Sequence, residues 1–251
     1  MLALFGALEE EIAGVRRQMT IAEVIVRPDF KLYRGVYHNR DCLLVQTGMG
    51  RQRVETAARF TLEHFQVGTM ISFGFAGALT PELRAGDIII CSTLYCCSGM
   101  IDEDLKSESL SSDTTLLELA THALESGRVR FYCGNSVTVP QLLSNQESKE
   151  KMYEVFAAYI ADMESYWVAR IAARERNPFV AIRAVSDARQ DSLPSFVQIV
   201  VGDKSWPWGK AFTYFVLHPQ DLPKLASLYR NSNKARRSLT ECVAKVVASM
   251  N

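Results

Sequence analysis

Apolar residues in this chain fall into short continuous runs, and the segments between them carry apolar residues every three or four positions. Short runs rich in Val, Ile and Leu suit strands covered on both faces, and the three-to-four spacing suits amphipathic helices. The pattern predicts strands over residues 2–8, 31–37, 41–47, 69–75, 87–95, 129–139, 157–163 and 179–186. It predicts helices over 10–19, 53–65, 114–126, 146–155, 165–174 and 222–249, with Asp113 or Thr114 as the cap of the third. Strands alternating with helices define an α/β fold around a mixed sheet.

Two segments break the alternation. Residues 98–113 are rich in Ser, Asp and Glu and read as a mobile surface loop. Residues 197–214 hold Trp206, Pro207, Trp208 and Gly209 ahead of an aromatic run. They read as a helix docked by its tryptophans, or as an apolar wall beside a pocket. Repeats and low-complexity tracts are absent, and the 251 residues are expected to form a single domain, 1–251.

Charge narrows the partners. Lys plus Arg and Asp plus Glu number 28 each, which gives no electrostatic case for nucleic acid. Arg230, Lys234, Arg236 and Arg237 on the last helix read as a solvated basic face. No apolar run reaches the roughly 20 residues that span a bilayer. The apolar opening runs straight into Glu9, Glu10 and Glu11 without a basic start or a cleavage site, so it reads as a strand and not as a signal peptide, and a cytoplasmic location is expected. The six cysteines show no C-x-x-C or zinc spacing and are expected to be buried thiols. The four histidines are scattered, so no metal site is expected.

The chemistry is sought just beyond strand ends, where open α/β sheets bind ligands. Gly6-Ala7-Leu8-Glu9-Glu10-Glu11 places three carboxylates at a helix start, where the macrodipole favours them. One of them, turned to a pocket, would serve as a general base on water. Thr47-Gly48-Met49-Gly50 is a glycine turn whose N–H groups can hold an anion or a water. It is neither a dinucleotide fingerprint nor a Walker loop. Ser72 to Ala78 carries Gly74 and Gly77, small residues that let a ligand approach the backbone. Asp162-Met163-Glu164-Ser165 and Arg183-Ala184-Val185-Ser186-Asp187 put acidic residues at two strand ends. A carboxylate accepts two hydrogen bonds side by side, as vicinal ribose hydroxyls require. A carboxylic acid with a raised pKa can protonate a leaving base. Helix capping explains either residue equally well when taken alone.

Taken together and in this order, these segments resemble the nucleoside phosphorylase and nucleosidase superfamily, and the resemblance runs through most of the chain. The opening is similar to that of the methylthioadenosine/adenosylhomocysteine nucleosidases. Segments 72–79, 162–165 and 183–194, and the tail from His218-Pro219 through Leu222-Pro223 to Arg236-Arg237, resemble the hopanoid-associated branch, whose enzymes are thought to remove adenine from adenosylhopane. The resemblance implies a three-layer α/β/α fold with a mixed, partly barrel-like sheet. It implies cleavage of the N-glycosidic bond of a purine nucleoside, with Glu11 activating water and Asp187 protonating or hydrogen-bonding N7. Met163 and Glu164 would contact the ribose, Ser186 would support Asp187, and Val137 would lie near the base. Phe75 and Gly77 would line the site, and Thr47 and Gly48 would form the nucleophile or anion loop. Phe75 replaces a small polar residue of the nucleosidases, and the family's aromatic near Val137 is missing. No cofactor is implied, phosphate being a co-substrate if the reaction is phosphorolysis. The partner would be a purine nucleoside, carried on a lipid in the hopanoid reading, and the chain a homo-oligomer such as a dimer. Hydrolysis is favoured because Glu11 supplies a base, while Arg16, Arg17, Arg51 and Arg53 are not placed by sequence in a phosphate cradle. The reading of a different class is a nucleoside-binding protein without turnover.

Overall fold

The computed structural model describes residues 1–97, 107–125, 127, 129–191 and 222–250. Ten strands are present among them: β1 (Leu2–Gly6), β2 (Thr20–Val26), β3 (Lys31–Tyr37), β4 (Arg40–Gln46), β5 (Thr69–Ala78), β6 (Ile88–Cys97), β7 (Ser107–Ser111), β8 (Phe131–Thr138), β9 (Ile160–Asp162) and β10 (Phe179–Asp187). Six helices are present among the same residues: α1 (Glu9–Gln18), α2 (Arg51–His64), α3 (Thr114–Glu125), α4 (Gln146–Phe156), α5 (Ser165–Arg174) and α6 (Leu222–Ser249).

Every residue of β1 is buried, and its side chains divide by parity. Ala3 and Phe5 pack with Val54, Ala57 and Ala58 of α2 and Val168 of α5. Leu2 and Leu4 pack with Ile12 of α1, Leu116 of α3 and Leu239 of α6. The same division recurs in β10, where Ala181 faces the first layer and Ile182 the second. Two apolar faces on one strand require a helical layer on each side, and the α/β/α sandwich follows.

The sheet runs β10-β6-β8-β9-β5-β1-β4-β3-β2, and β10 also pairs with β5. That additional pairing closes β5, β10, β6, β8 and β9 into a five-stranded barrel, with β1 to β4 as an open wing. Strands β4, β1, β5 and β10 are mutually parallel, so their carboxyl ends emerge on one side. Strands β9 and β10 flank β5 from opposite sides, with Ala161 and Asp187 both in register with Gly77. Strands β3 and β4 turn through His38 and Asn39, both left-handed, which a two-residue hairpin of this hand requires.

The caps follow the sequence. Asp113 Oδ1 accepts from the Leu116 N–H at 3.0 Å and starts α3, and Asn145 Oδ1 accepts from the Ser148 N–H at 2.8 Å and starts α4.

Four expectations change. Strand β2 is absent from the sequence pattern because it is an edge strand with both faces largely exposed, so it carries no burial signal. The expected loop over 98–113 contains β7, whose polar residues pair antiparallel with β6 from Thr93 to Cys97. Residues 98–106 and the tryptophan segment 197–214 lie outside the described residues. The strand expected over 157–163 is only three residues long, because Ala157 ends α4 in the left-handed conformation. Finally, Cys133 is exposed, whereas the other five cysteines are buried.

Candidate active site

Strand β1 stops at Gly6, and the chain bends into α1 so that Glu11 turns inward while Glu9 pairs with Arg16 and Glu10 faces solvent. Glu11 is 4 % exposed. Its Oε2 accepts from the Ala7 and Leu8 N–H groups, both at 2.8 Å. Its Oε1 accepts from the Phe75 N–H at 2.7 Å. A methyl group at Gly74 would sit 2.6 Å from Oε1, so only glycine leaves the carboxylate its seat.

Glu164, the cap residue of α5, shares a cavity of about 10 Å³ with Glu11, Thr47, Ser72 and Arg183. That is about the size one water requires. Glu164 Oε1 accepts from the Gly50 N–H at 3.1 Å. Burial, together with the charges of Glu11 and Asp162, pushes the Glu164 carboxyl up to about 8, against the pull of the Gly50 N–H and Arg183. Burial also raises Glu11, opposed by backbone hydrogen bonds and Arg183. Three N–H donors favour the ionised form of Glu11, and only one favours that of Glu164. The shared charge therefore settles on Glu11 and the proton on Glu164, an arrangement that pairs a base with a neutral hydrogen-bonding acid.

Behind both lies Arg183, 2 % exposed. Its Nε donates to Asp162 Oδ2 at 3.1 Å, its Nη2 to Ser72 Oγ at 2.8 Å and its Nη1 to the Ile182 carbonyl at 3.1 Å. Asp162 also accepts from Thr138 Oγ1 at 2.8 Å, from the Glu164 and Ser165 N–H groups at 3.0 Å, and from the Ser165 hydroxyl. Asp162 thus ties the start of α5, which carries Glu164, to β8 and β10.

Asp187 ends β10 at 5 % exposure, beside Gly77, where a methyl group would stand 3.0 Å from Oδ2. Oδ1 accepts from Ser186 Oγ at 2.8 Å, and Oδ2 accepts from Lys149 Nζ at 2.6 Å. A second cavity, of about 40 Å³, is lined by Gly77, Leu79, Val139, Lys149, Met163 and Asp187 among others.

The structure gathers Glu11, Thr47 and Glu164 at the first cavity, and Met163, Gly77 and Asp187 at the second with Ser186 behind. Three placements add detail to the expected roles. Val137 is fully buried in the core with Leu79 and Met152 and lines neither cavity; Val139, two residues on, does. Phe75 contributes its N–H, while its ring packs against the α1–α6 layer. Thr47 lines the first cavity, but the glycine loop is not a free anion cradle. The Thr47 and Gly48 N–H groups donate to the Gly6 and Ala7 carbonyls at 2.9 and 3.0 Å, and that of Gly50 goes to Glu164.

Sequence reasoning gave no role to Asp162, Arg183 or Lys149. Arg183 carries a signal after the fact, since a guanidinium inside an apolar strand needs a buried partner. Lys149 carries none, lying among charges in Gln146-Glu147-Ser148-Lys149-Glu150-Lys151. Among the described residues, no group of three His, Cys, Asp or Glu side chains could hold a metal.

A partly closed α/β barrel with buried carboxylates at its strand ends defines a class: proteins equipped for acid–base chemistry on a small molecule. The chain belongs to the phosphorylase superfamily, whose family model matches residues 1–202. It is 27 % identical to the 5'-methylthioadenosine/S-adenosylhomocysteine nucleosidase of Tolumonas auensis over 208 residues, 77 % of this chain and 89 % of that one. It is 28 % identical to the enzyme of the same name from Staphylococcus epidermidis over 198 residues, 74 % of this chain and 86 % of the relative. Among solved structures it is similar to the Neisseria meningitidis 5'-methylthioadenosine/S-adenosylhomocysteine nucleosidase in complex with methylthio-immucillin-A, with a TM-score of 0.76, 21 % identity and coverage of 99 % and 98 % of the two chains. It is also similar to Helicobacter pylori futalosine hydrolase, with a TM-score of 0.74, 19 % identity and 96 % coverage of each chain.

Proposed function

We propose that this protein hydrolyses the N-glycosidic bond of an adenine nucleoside. The observation that carries this reading is Glu11, held by three N–H groups on a water-sized cavity that it shares with Glu164 and Arg183. Breaking the bond leaves positive charge on the sugar and negative charge on the purine, through an oxocarbenium-like transition state. Glu11 takes a proton from water as the water attacks the anomeric carbon. Glu164 grips the ribose hydroxyls, with Met163 alongside. Asp187, steadied by Ser186, serves N7 of the base. The nucleosidases among the relatives support the substrate class. These steps need neither metal nor redox cofactor.

Hydrolysis is preferred to phosphorolysis because the donors lining the first cavity among the described residues are largely engaged already. The guanidinium lining the first cavity, Arg183, has all three nitrogens engaged, and the Thr47 and Gly48 N–H groups are spent on carbonyls.

The substrate we propose is adenosine linked through its 5′ carbon to a lipid, as in adenosylhopane, on the likeness of segments 72–79, 162–165 and 183–194 to the hopanoid-associated branch. The segment with Trp206, Trp208, Phe212, Tyr214 and Phe215 is proposed as the apolar exit, and it lies outside the described residues. The working form is proposed to be a cytoplasmic homodimer.

A panel of methylthioadenosine, adenosylhomocysteine, adenosine, inosine and a lipid-linked adenosine, scored for free base with and without phosphate, tests the reading. Free adenine and free sugar in phosphate-free buffer are expected, fastest from the lipid-linked substrate. Sugar phosphate formed only with added phosphate would establish the phosphorylase reading. Binding of nucleosides without release of base would establish a binding protein.

A further inference from the structure

Lys149 is a cation placed where the reaction described above does not require one. It lies on α4 with 1 % of its side chain exposed. Its ammonium has three protons, and three acceptors surround it: Asp187 Oδ2 at 2.6 Å, the Ala188 carbonyl at 2.8 Å and the Asp191 carbonyl at 3.1 Å. Helix α4 is fixed at both ends, by the Asn145 cap and by the left-handed Ala157, and Glu150 in its next position pairs with Arg189 at 2.9 Å. Burying a lysine is costly unless it is paired, so this placement is specific to the segment following β10.

The hydrogen bonds at Asp187 pose a chemical problem. Donors stand on both of its oxygens, Ser186 Oγ on one and Lys149 Nζ on the other. A carboxylate in that setting only accepts, and N7 of a purine is also an acceptor. Asp187 can serve N7 only if a proton reaches it. Of its two bonded donors, the ammonium is the stronger acid.

We infer that Lys149 is the positioning residue and proton reservoir behind Asp187, an inference that rests on Asp187 acting on the leaving purine. As the bond to the base breaks and charge builds on the purine, the proton passes from Nζ through the Asp187 carboxyl to N7 in one concerted relay, and no free carboxylic acid accumulates beside the amine. The bond from the anomeric carbon to N9 breaks with its electron pair on N9, so the base leaves neutral with hydrogen on N7. Water forms the new bond to the anomeric carbon and yields its proton to Glu11. Lys149, left as a neutral amine, regains a proton from solvent as products depart, and Glu11 releases one.

Lys149→Arg keeps the cation and its donors but cannot release a proton at working pH. Lys149→Ala leaves room for an added alkylamine. Two substrates distinguish a proton source from a structural prop: a purine nucleoside, and p-nitrophenyl riboside, whose phenolate leaves without protonation. Lys149→Arg is expected to lose about 100-fold in kcat on the nucleoside, the scale of general acid catalysis. Its loss on the nitrophenyl riboside should stay within about fivefold, since positioning and the attack of water are untouched. Propylamine is expected to restore at least tenfold to Lys149→Ala on the nucleoside, and this arm alone decides if the wild type does not cleave the nitrophenyl riboside. Equal losses on both substrates, undiminished nucleoside turnover in Lys149→Arg, or no recovery with propylamine would overturn the assignment. Failure of the wild type to release base from any purine nucleoside would instead overturn the proposed function.

Discussion

Arg183 and Asp162 form a buried ion pair, Nε to Oδ2 at 3.1 Å, between the middle of β10 and the end of β9. Removing one member leaves the other charge unpaired and away from bulk solvent. Arg183→Met is expected to destabilise the fold by about 3–5 kcal/mol, the usual cost of a buried charge left unpaired. Urea unfolding of Arg183→Met, Asp162→Asn and the double variant checks this. If Arg183→Met costs less than about 1 kcal/mol, the pair does not hold the site together.

Glu11→Gln keeps the shape of the side chain and removes the proposed base. Its amide nitrogen would also face N–H donors that Glu11 now satisfies. Turnover is expected to fall by about 10²–10⁴-fold. Binding of a non-cleavable nucleoside analogue, measured by calorimetry, should weaken far less. Parallel losses in both would assign Glu11 to binding.

Glu164 links stability to pH. Its folded-state carboxyl holds the proton up to about 8, and an unfolded one releases it near 4.5. Between those values the folded chain binds more protons than the unfolded chain. Unfolding free energy therefore falls as pH rises through that window and levels off above it. Glu11 adds a slope of the same sign. Denaturant midpoints at several pH values should show the decline, and Glu164→Gln should make it shallower. A slope unchanged by Glu164→Gln would mean that the proton does not reside on Glu164.

Much of this arrangement was legible in the sequence, for reasons that differ by element. Strands β1, β5 and β10 show themselves because both faces are buried. Glu11, Glu164 and Asp187 show themselves because acidic residues directly after such strands are conspicuous. Strand β2 hides because an edge with two solvated faces has no apolar pattern. Lys149 hides because its partner lies 38 residues away, across a barrel that only the pairing of β10 with β5 closes. The Thr47–Gly50 turn is visible as a glycine loop, but the spending of its N–H groups on Gly6, Ala7 and Glu164 is a tertiary fact.

Gly74→Ala tests the seat that β5 provides for Glu11. The added methyl would stand 2.6 Å from Glu11 Oε1, so the carboxylate must move. A misplacement on the scale of 1 Å costs about 100-fold in rate, and turnover is expected to fall by that order. Thermal unfolding should show whether the fold survives the change. Turnover near the wild-type level would mean that Glu11 tolerates displacement.

The closed ring of β5, β10, β6, β8 and β9 works as a hoop. An open sheet can splay, and its strand ends drift apart as it twists. A hoop cannot widen without breaking a whole ladder of hydrogen bonds, so the β9 and β10 ends on either side of Gly77 keep their span. The carboxylates of Glu164 and Asp187, at those two ends, are thereby fixed to one gauge. Whatever hangs from the far end of the substrate can change without that gauge being reset.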